Sequence, residues 1–176
     1  MEDEKFTPFS VVYDSFLSKI TEDMYMELTE QDTHKLLRPL LLSAIHKFEF
    51  PRVNINDYTL IDEESVNGGG VFNIILSSEE INILSTYMIV EWLSQQLASI
   101  ENVRMKYSGS DFKFTSQANH MQKILAIKKD YEREGFHLQR LYKRRIADED
   151  GIMHSTIDTI MEKYPAGRRF PRGYKW

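Results

Sequence analysis

The chain has 176 residues, enough for one domain with extended appendages, and it contains no cysteine, which removes disulfides, thiolate catalysis and cysteine-ligated zinc together. Its 41% hydrophobic content supports a packed core, 12% of residues are aromatic, and the formal net charge is −5. No run of about 18 apolar residues occurs, so no membrane span is expected; the acidic opening MEDEKFTPFS lacks the apolar stretch of a secretory leader.

These features point to a soluble protein of a reducing compartment, or to part of a particle assembled inside a cell. The small net charge hides a polarity. Residues 1–102 carry 18 acidic and 6 basic side chains, whereas residues 103–176 carry 9 acidic and 16 basic. Charge blocks are often only solvated faces, but a split of this size bears on association rather than on fold. A molecule acidic at one end and basic at the other favours head-to-tail contacts, which close into rings when the rotation permits.

In chain order, Thr7-Pro8 reads as a helix start with Thr7 as cap and Pro8 at the first helical position. Val12, Phe16 and Ile20, with Phe9, Tyr13 and Leu17, follow at helical spacing. Thr21-Glu22-Asp23 recaps a short turn through Met24-Tyr25-Met26. Thr29, with Glu30 and Asp32, opens a helix through Leu36, Leu37, Leu40, Leu41, Ala44, Ile45 and Phe48. Pro39 should kink or split that helix, and Pro51 should stop it.

Between residues 51 and 76 the period shifts toward two, at Val53-Asn54-Ile55 and at Tyr58-Thr59-Leu60-Ile61, and a β-branched run follows at Val71-Phe72-Asn73-Ile74-Ile75. A β-hairpin over about 53–76 around the glycine-tipped Asn67-Gly68-Gly69-Gly70 is the simplest assignment. A lone ribbon is marginally stable, so it should lean on the core or on a neighbouring subunit. The glycines are a poor phosphate cradle: no lysine follows, no helix starts directly behind them, and acids precede them.

Residues 77–107 form the long central helix in this reading. Ser77-Ser78-Glu79-Glu80 is a capping box, with Leu76 and Ile81 placed as a hydrophobic staple. Behind it Ile81, Leu84 and Met88 line one face and Ile83, Tyr87, Val90 and Leu97 another, with Ile89, Trp92 and Leu93 between. A helix apolar nearly all round is covered on most sides. Ser108-Gly109-Ser110 breaks the pattern, and a second long helix over about 116–146, capped by Thr115 or Ser116, should pack antiparallel on the first. Its stripe is Ala118, Met121, Leu125, Tyr131, Leu138, Leu141 and Tyr142. Gly135 weakens it by about 1 kcal/mol relative to alanine. Arg140 to Arg145 place cations at its C-terminus.

From residue 147 onward Ile152, Ile157, Ile160 and Met161 suggest a short helix, and Pro165, Gly167, Pro171 and Gly173 then forbid regular structure. The final KYPAGRRFPRGYKW holds five basic groups and no acid. Arginines alternating with aromatics read as a docking arm, with Tyr164, Arg168, Arg169, Phe170, Arg172, Tyr174 and Trp176 as anchors. The expected organisation is all-α: a helical core domain over 1–146 carrying the ribbon at 51–76, and a C-terminal extension over 147–176.

Nothing in the sequence assembles a reaction. His34, His46, His120, His137 and His154 lack metal-ligand spacing and read as structural. Ser116 stands four residues before His120, but no orienting acid or oxyanion site accompanies them. Glu79-Glu80 is a helix start, and Met24, Met26, Met88, Met105 and Met121 fill apolar faces. No catalytic residue, cofactor or metal site is expected. An alternative is a nucleic-acid-binding accessory protein acting through Lys128, Lys129, Arg140, Lys143, Arg144, Arg145 and the tail, with Phe170, Tyr174 and Trp176 as stacking platforms. The acidic pI of about 5.6 and the lack of a reading motif weigh against it. A third is a small scaffold protein with an amphipathic partner-binding helix.

Three stretches give the sequence a family likeness: Leu41-Leu42-Ser43-Ala44-Ile45-His46-Lys47-Phe48; the capped helix with Met88-Ile89-Val90-Glu91-Trp92-Leu93; and Ser110-Asp111-Phe112-Lys113 leading to Ser116-Gln117-Ala118-Asn119-His120. In these it resembles the small helical head–tail connector (neck or adaptor) proteins of tailed bacteriophages. The resemblance implies a non-enzymatic virion protein assembled in the host cytoplasm. Such proteins form a ring, commonly a dodecamer, beneath the portal protein; it extends the DNA channel without sequence-specific binding and meets other neck or tail proteins. It leaves the ribbon to supply a second contact, for which Tyr58, Leu60, Val71 and Phe72 are the candidates.

Overall fold

The computed structural model describes residues 6–20, 25, 27–61, 67–106, 114–147 and 153–155. It is mostly helical with a small three-stranded antiparallel sheet, in line with an all-α chain carrying a β-hairpin. The chain divides into two units, Met1–Gln139 and Arg140–Trp176.

The first unit opens on a strand, where a helix cap was expected. Thr7–Pro8 is β1, pairing with Phe72 and Val71. The Thr7 hydroxyl accepts from the Leu76 amide at 2.8 Å. Pro8, with ψ of 147°, becomes the N-cap of α1 (Phe9–Leu17), which has no side-chain cap. Pairing with a distant segment has overridden a local signal. Phe9, Val12, Tyr13 and Phe16 are buried, and Ile20 lies beyond the helix end. Of the recapped turn expected at 21–26, all but Tyr25 lies outside the described residues.

Thr29 caps α2 (Glu30–Lys47) as its sequence predicts, accepting from the Asp32 amide at 3.2 Å. Pro39 does not split it. The helix runs unbroken past the proline while Leu37, Leu40, Leu41, Ala44 and Ile45 are buried on its inner face, which offsets the roughly 3 kcal/mol an interior proline costs. It ends at Lys47, short of Pro51, with Phe48 as a buried C-cap.

The hairpin is present but shorter than expected: β2 (Tyr58–Leu60) pairs antiparallel with β3 (Gly70–Phe72), and Asn73 to Ile75 lie outside the strand. Val53 to Ile55 also form no strand, yet Ile55 is buried. With β1 on its other side, β3 is the middle strand, and Phe72 packs against Phe9 at 4.8 Å between ring centroids. The ribbon therefore leans on its own core. Gly68 has φ of +72°, and its carbonyl accepts from the Tyr13 hydroxyl at 3.1 Å. At Gly70 a Cβ would sit 2.5 Å from the Phe9 ring. These glycines make the turn and let the ribbon lie flat on α1.

The central helix is α3 (Ser78–Lys106). Its capping box forms as the sequence predicts: the buried Glu80 carboxylate accepts from the Ser77 amide at 2.7 Å and hydroxyl at 2.9 Å. Eight consecutive residues, Ile83 to Val90, are buried. They lie beneath α1 and α2, both of which pack on this helix. From Glu91 onward burial falls away, and Leu97, expected in the core, is only half-buried.

The second long helix, α4 (Phe114–Arg144), begins before Thr115 and Ser116, which therefore do not cap it, and it stops two residues short of 146. Gly135 lies directly against the Tyr87 ring, where a Cβ would be 2.8 Å from Cζ. The glycine that weakens the helix is what lets it approach α3. The second unit holds the end of α4, with Lys143 and Arg144 in its last turn, and an unexpected hairpin of β4 (Arg145–Ala147) and β5 (Met153–Ser155). Ile146 stands opposite His154 in this pairing, so the short helix expected from Ile152 does not include Met153 to Ser155. Ile157, Ile160 and Met161 lie outside the described residues.

Candidate interaction surfaces

An open cleft of about 460 Å³ lies where the end of α1 meets α3 and α4. Ile20, Ile89, Trp92 and Leu93 form one wall, and Ile124, Ile127 and Tyr131 the other. Lys19, Gln96 and His120 add polar atoms. On α4 the residues 120, 124, 127 and 131 fall at steps of four, three and four, which is one helical stripe. Ile127 lines the cleft yet remains 47% exposed, so it marks the mouth. The Trp92 indole N–H is buried and is the one such side-chain atom without a hydrogen-bond partner among the described residues. A donor of this kind usually finds an acceptor.

Beside the cleft, Lys19 fastens α1 to α3. Its ammonium donates to Asn82 Oδ1 and Ser85 Oγ at 2.7 Å, Thr86 Oγ1 at 3.0 Å and the Asn82 carbonyl at 3.2 Å. Ser15 donates to the same Ser85 hydroxyl at 3.0 Å. Two polar residues inside the buried run of α3 are satisfied in this way. Burial lowers the pKa of Lys19, and the Glu134 carboxylate pulls it back up. With its donors spent on fixed protein oxygens, this lysine holds helices together instead of acting as a free nucleophile.

A second polar knot joins α2, α3 and α4. The Gln139 side chain donates to the Tyr87 hydroxyl and, at 3.0 Å, to the Lys47 carbonyl, while accepting from the Glu49 amide at 2.9 Å. Burial raises the pKa of Tyr87, opposed by the Gln139 hydrogen bond and reinforced by the charges of Glu49 and Glu132. Lys47 and Glu91 form an ion pair nearby. No group of three or more histidines and carboxylates that could hold a metal occurs among the described residues.

Comparison with family models, curated proteins and solved structures finds no match to this chain. Among the described residues, no helix is long and apolar enough to cross a membrane.

The ribbon residues singled out from the sequence fare unequally. Leu60 is 53% exposed and Tyr58 and Val71 are half-buried. Phe72 is fully enclosed by its own chain and has no face to offer. The arm anchors Tyr164, Arg168, Arg169, Phe170, Arg172, Tyr174 and Trp176 lie outside the described residues. Of the expected α4 stripe, Leu125 is exposed. Tyr131, in the expected stripe, does line the cleft, but the stripe ran through Leu125 and left out His120, Ile124 and Ile127 beside it. Those residues carried the signal.

Proposed function

We propose that the chain is a structural, non-enzymatic virion protein, a head–tail connector that assembles into a ring beneath the portal and joins capsid to tail. The supporting observation is that the charge polarity follows the structural division. The unit Met1–Gln139 holds 22 acidic and 13 basic side chains, a balance of −9, whereas Arg140–Trp176 holds 5 acidic and 9 basic, a balance of +4. Opposite charge on two separate units of one chain suits contacts that repeat from copy to copy.

In this reading the first unit is the rigid body. Its two long helices form an antiparallel pair: Tyr87 meets Gly135 and Gln139, while Trp92, Leu93 and Gln96 share a cleft with His120, Ile124 and Ile127. The order of contacts runs oppositely along the two helices, which supports that arrangement. The ribbon edge at Leu60 is a second contact, and the arm 163–176 reaches a neighbour or the portal.

The test is to mix the full-length protein with the portal protein of its own genome and image the product by negative-stain electron microscopy. Rings on the portal are expected, and the same chain lacking residues 164–176 should fold yet fail to join. Portals that stay bare with the full-length chain would refute the connector reading. The competing nucleic-acid reading draws on the exposed Lys143 and Arg144 at the end of α4 and Arg145 at the start of β4. It demands duplex or single-strand binding that weakens steeply as salt rises.

A further inference from the structure

We infer that the cleft between α3 and α4 receives the Phe170-Pro171 segment of the C-terminal arm of a second copy of this chain, with the flanking arginines meeting carboxylates on its rim. The inference rests on the reading of residues 163–176 as an arm and names the receptor that reading leaves open.

Four observations carry it. The cleft, at about 460 Å³, lies toward the small end of the range for ligand pockets, suited to a ring and its neighbouring backbone. Its walls are largely isoleucine, leucine, tryptophan and tyrosine, which match a phenylalanine with no polar atom to satisfy. Asp130 and Glu134 stand three and seven residues beyond Ile127, on the same edge of α4, and both are exposed; Asp130 shares its carboxylate with Arg133 at 3.2 Å. Glu134 makes no direct ion pair among the described residues, although its charge acts on Lys19 at the cleft. Finally, the 21 residues after Ser155 can extend over roughly 70 Å, far enough to reach another molecule.

The arm sequence supplies the complement. Arg168-Arg169-Phe170-Pro171-Arg172 sets one apolar ring between cations, which suits a hydrophobic mouth with the Glu134 carboxylate at its edge. Pro171 restricts Phe170 to extended conformations, so less freedom is lost on docking. Ordering the arm is the main cost of such a contact.

The experiment uses full-length protein throughout. A photo-crosslinking p-benzoylphenylalanine replaces Phe170, whose ring it retains, and isotopically heavy and light preparations are mixed before irradiation. Crosslinks from position 170 of one label to residues 89–96 or 120–131 of the other are expected. Phe170→Ala and Ile127→Glu should each weaken self-association about tenfold or more by sedimentation velocity. An equal mixture of the two variants should recover one contact per pair, because one copy keeps its cleft and the other its arm. Crosslinks within a single chain, crosslinks to another region, or none would overturn the proposal. Variants that associate like the wild type would overturn it too. Rings on the portal without these crosslinks would leave the connector reading standing and this docking site refuted; crosslinks with bare portals would do the reverse.

Discussion

Replacing Gly135 with alanine sets helix propensity against packing, and the structure decides the sign. Propensity alone favours alanine by about 1 kcal/mol in a helix interior. A Cβ at this position would lie 2.8, 3.0 and 3.2 Å from Tyr87 Cζ, Cε1 and Cε2. The ring cannot swing aside freely: Tyr87 is buried, and its hydroxyl accepts from Gln139, which also ties the Lys47 carbonyl and Glu49 amide. Overpacking of this kind costs about 1–3 kcal/mol, and a displaced hydroxyl leaves buried partners short at a further 1–3 kcal/mol or so. The expected net effect of Gly135→Ala is destabilisation by about 1–5 kcal/mol, or a fall in Tm of roughly 2–20 °C for a chain of this size. Urea and thermal unfolding measure it directly. Tyr87→Leu, which removes the ring, should convert Gly135→Ala from harmful to neutral or favourable. A variant more stable than wild type in the Tyr87 background would refute the close approach of α4 to α3.

Three other measurements probe separate parts of the fold. Glu80→Ala removes the carboxylate that accepts from both the Ser77 amide and hydroxyl, and should cost about 1–2 kcal/mol in urea unfolding, with Glu80→Gln costing less. Gly70→Ala drives a methyl to within 2.5 Å of Phe9 and should destabilise by about 1–3 kcal/mol, since that contact seats the ribbon on α1; an unchanged urea midpoint would argue against it. Burial holds the Tyr13 hydroxyl above the usual tyrosine range, with the Arg38 charge acting in the opposite direction. The folded state thus keeps a proton that the unfolded chain releases near pH 10, so this contribution is complete below about pH 10 and lost as pH rises further. Tyr13→Phe should be less stable at neutral pH, having given up the hydrogen bond to Gly68, but the gap to wild type should narrow in alkali. Parallel stability curves above pH 10 would refute that account.

Local signals proved readable where they were also the final arbiter. Thr29 and Ser77 cap their helices because every partner of their hydroxyls, the amide and the carboxylate of Asp32 and of Glu80, lies three residues on. The all-round apolar run from Ile83 to Val90 is buried as its composition demands. Thr7 misled because a partner far along the chain took its oxygen, and such a partner is invisible in a window of a few residues. Pro39 does not split its helix, because tertiary burial of its neighbours outweighs its local cost. The β4–β5 hairpin was masked by isoleucines that suit a helix as well as a strand, although Asp150-Gly151 between the two strands is a turn sequence. For the cleft, spacing identified the helix but not which of two adjacent stripes would face α3. Only the close packing at Gly135 fixes that rotation.

The pairing of Thr7 with Phe72, and the grip of its hydroxyl on the Leu76 amide, join residues 65 and 69 positions apart. During synthesis at about 5–20 residues per second, the first strand emerges several seconds before its mate exists. Throughout that wait Phe9, Val12, Tyr13 and Phe16 have no α3 to cover them. The newborn chain thus carries an uncovered greasy segment past the ribosome surface and any chaperone there, and slower translation would lengthen that exposure.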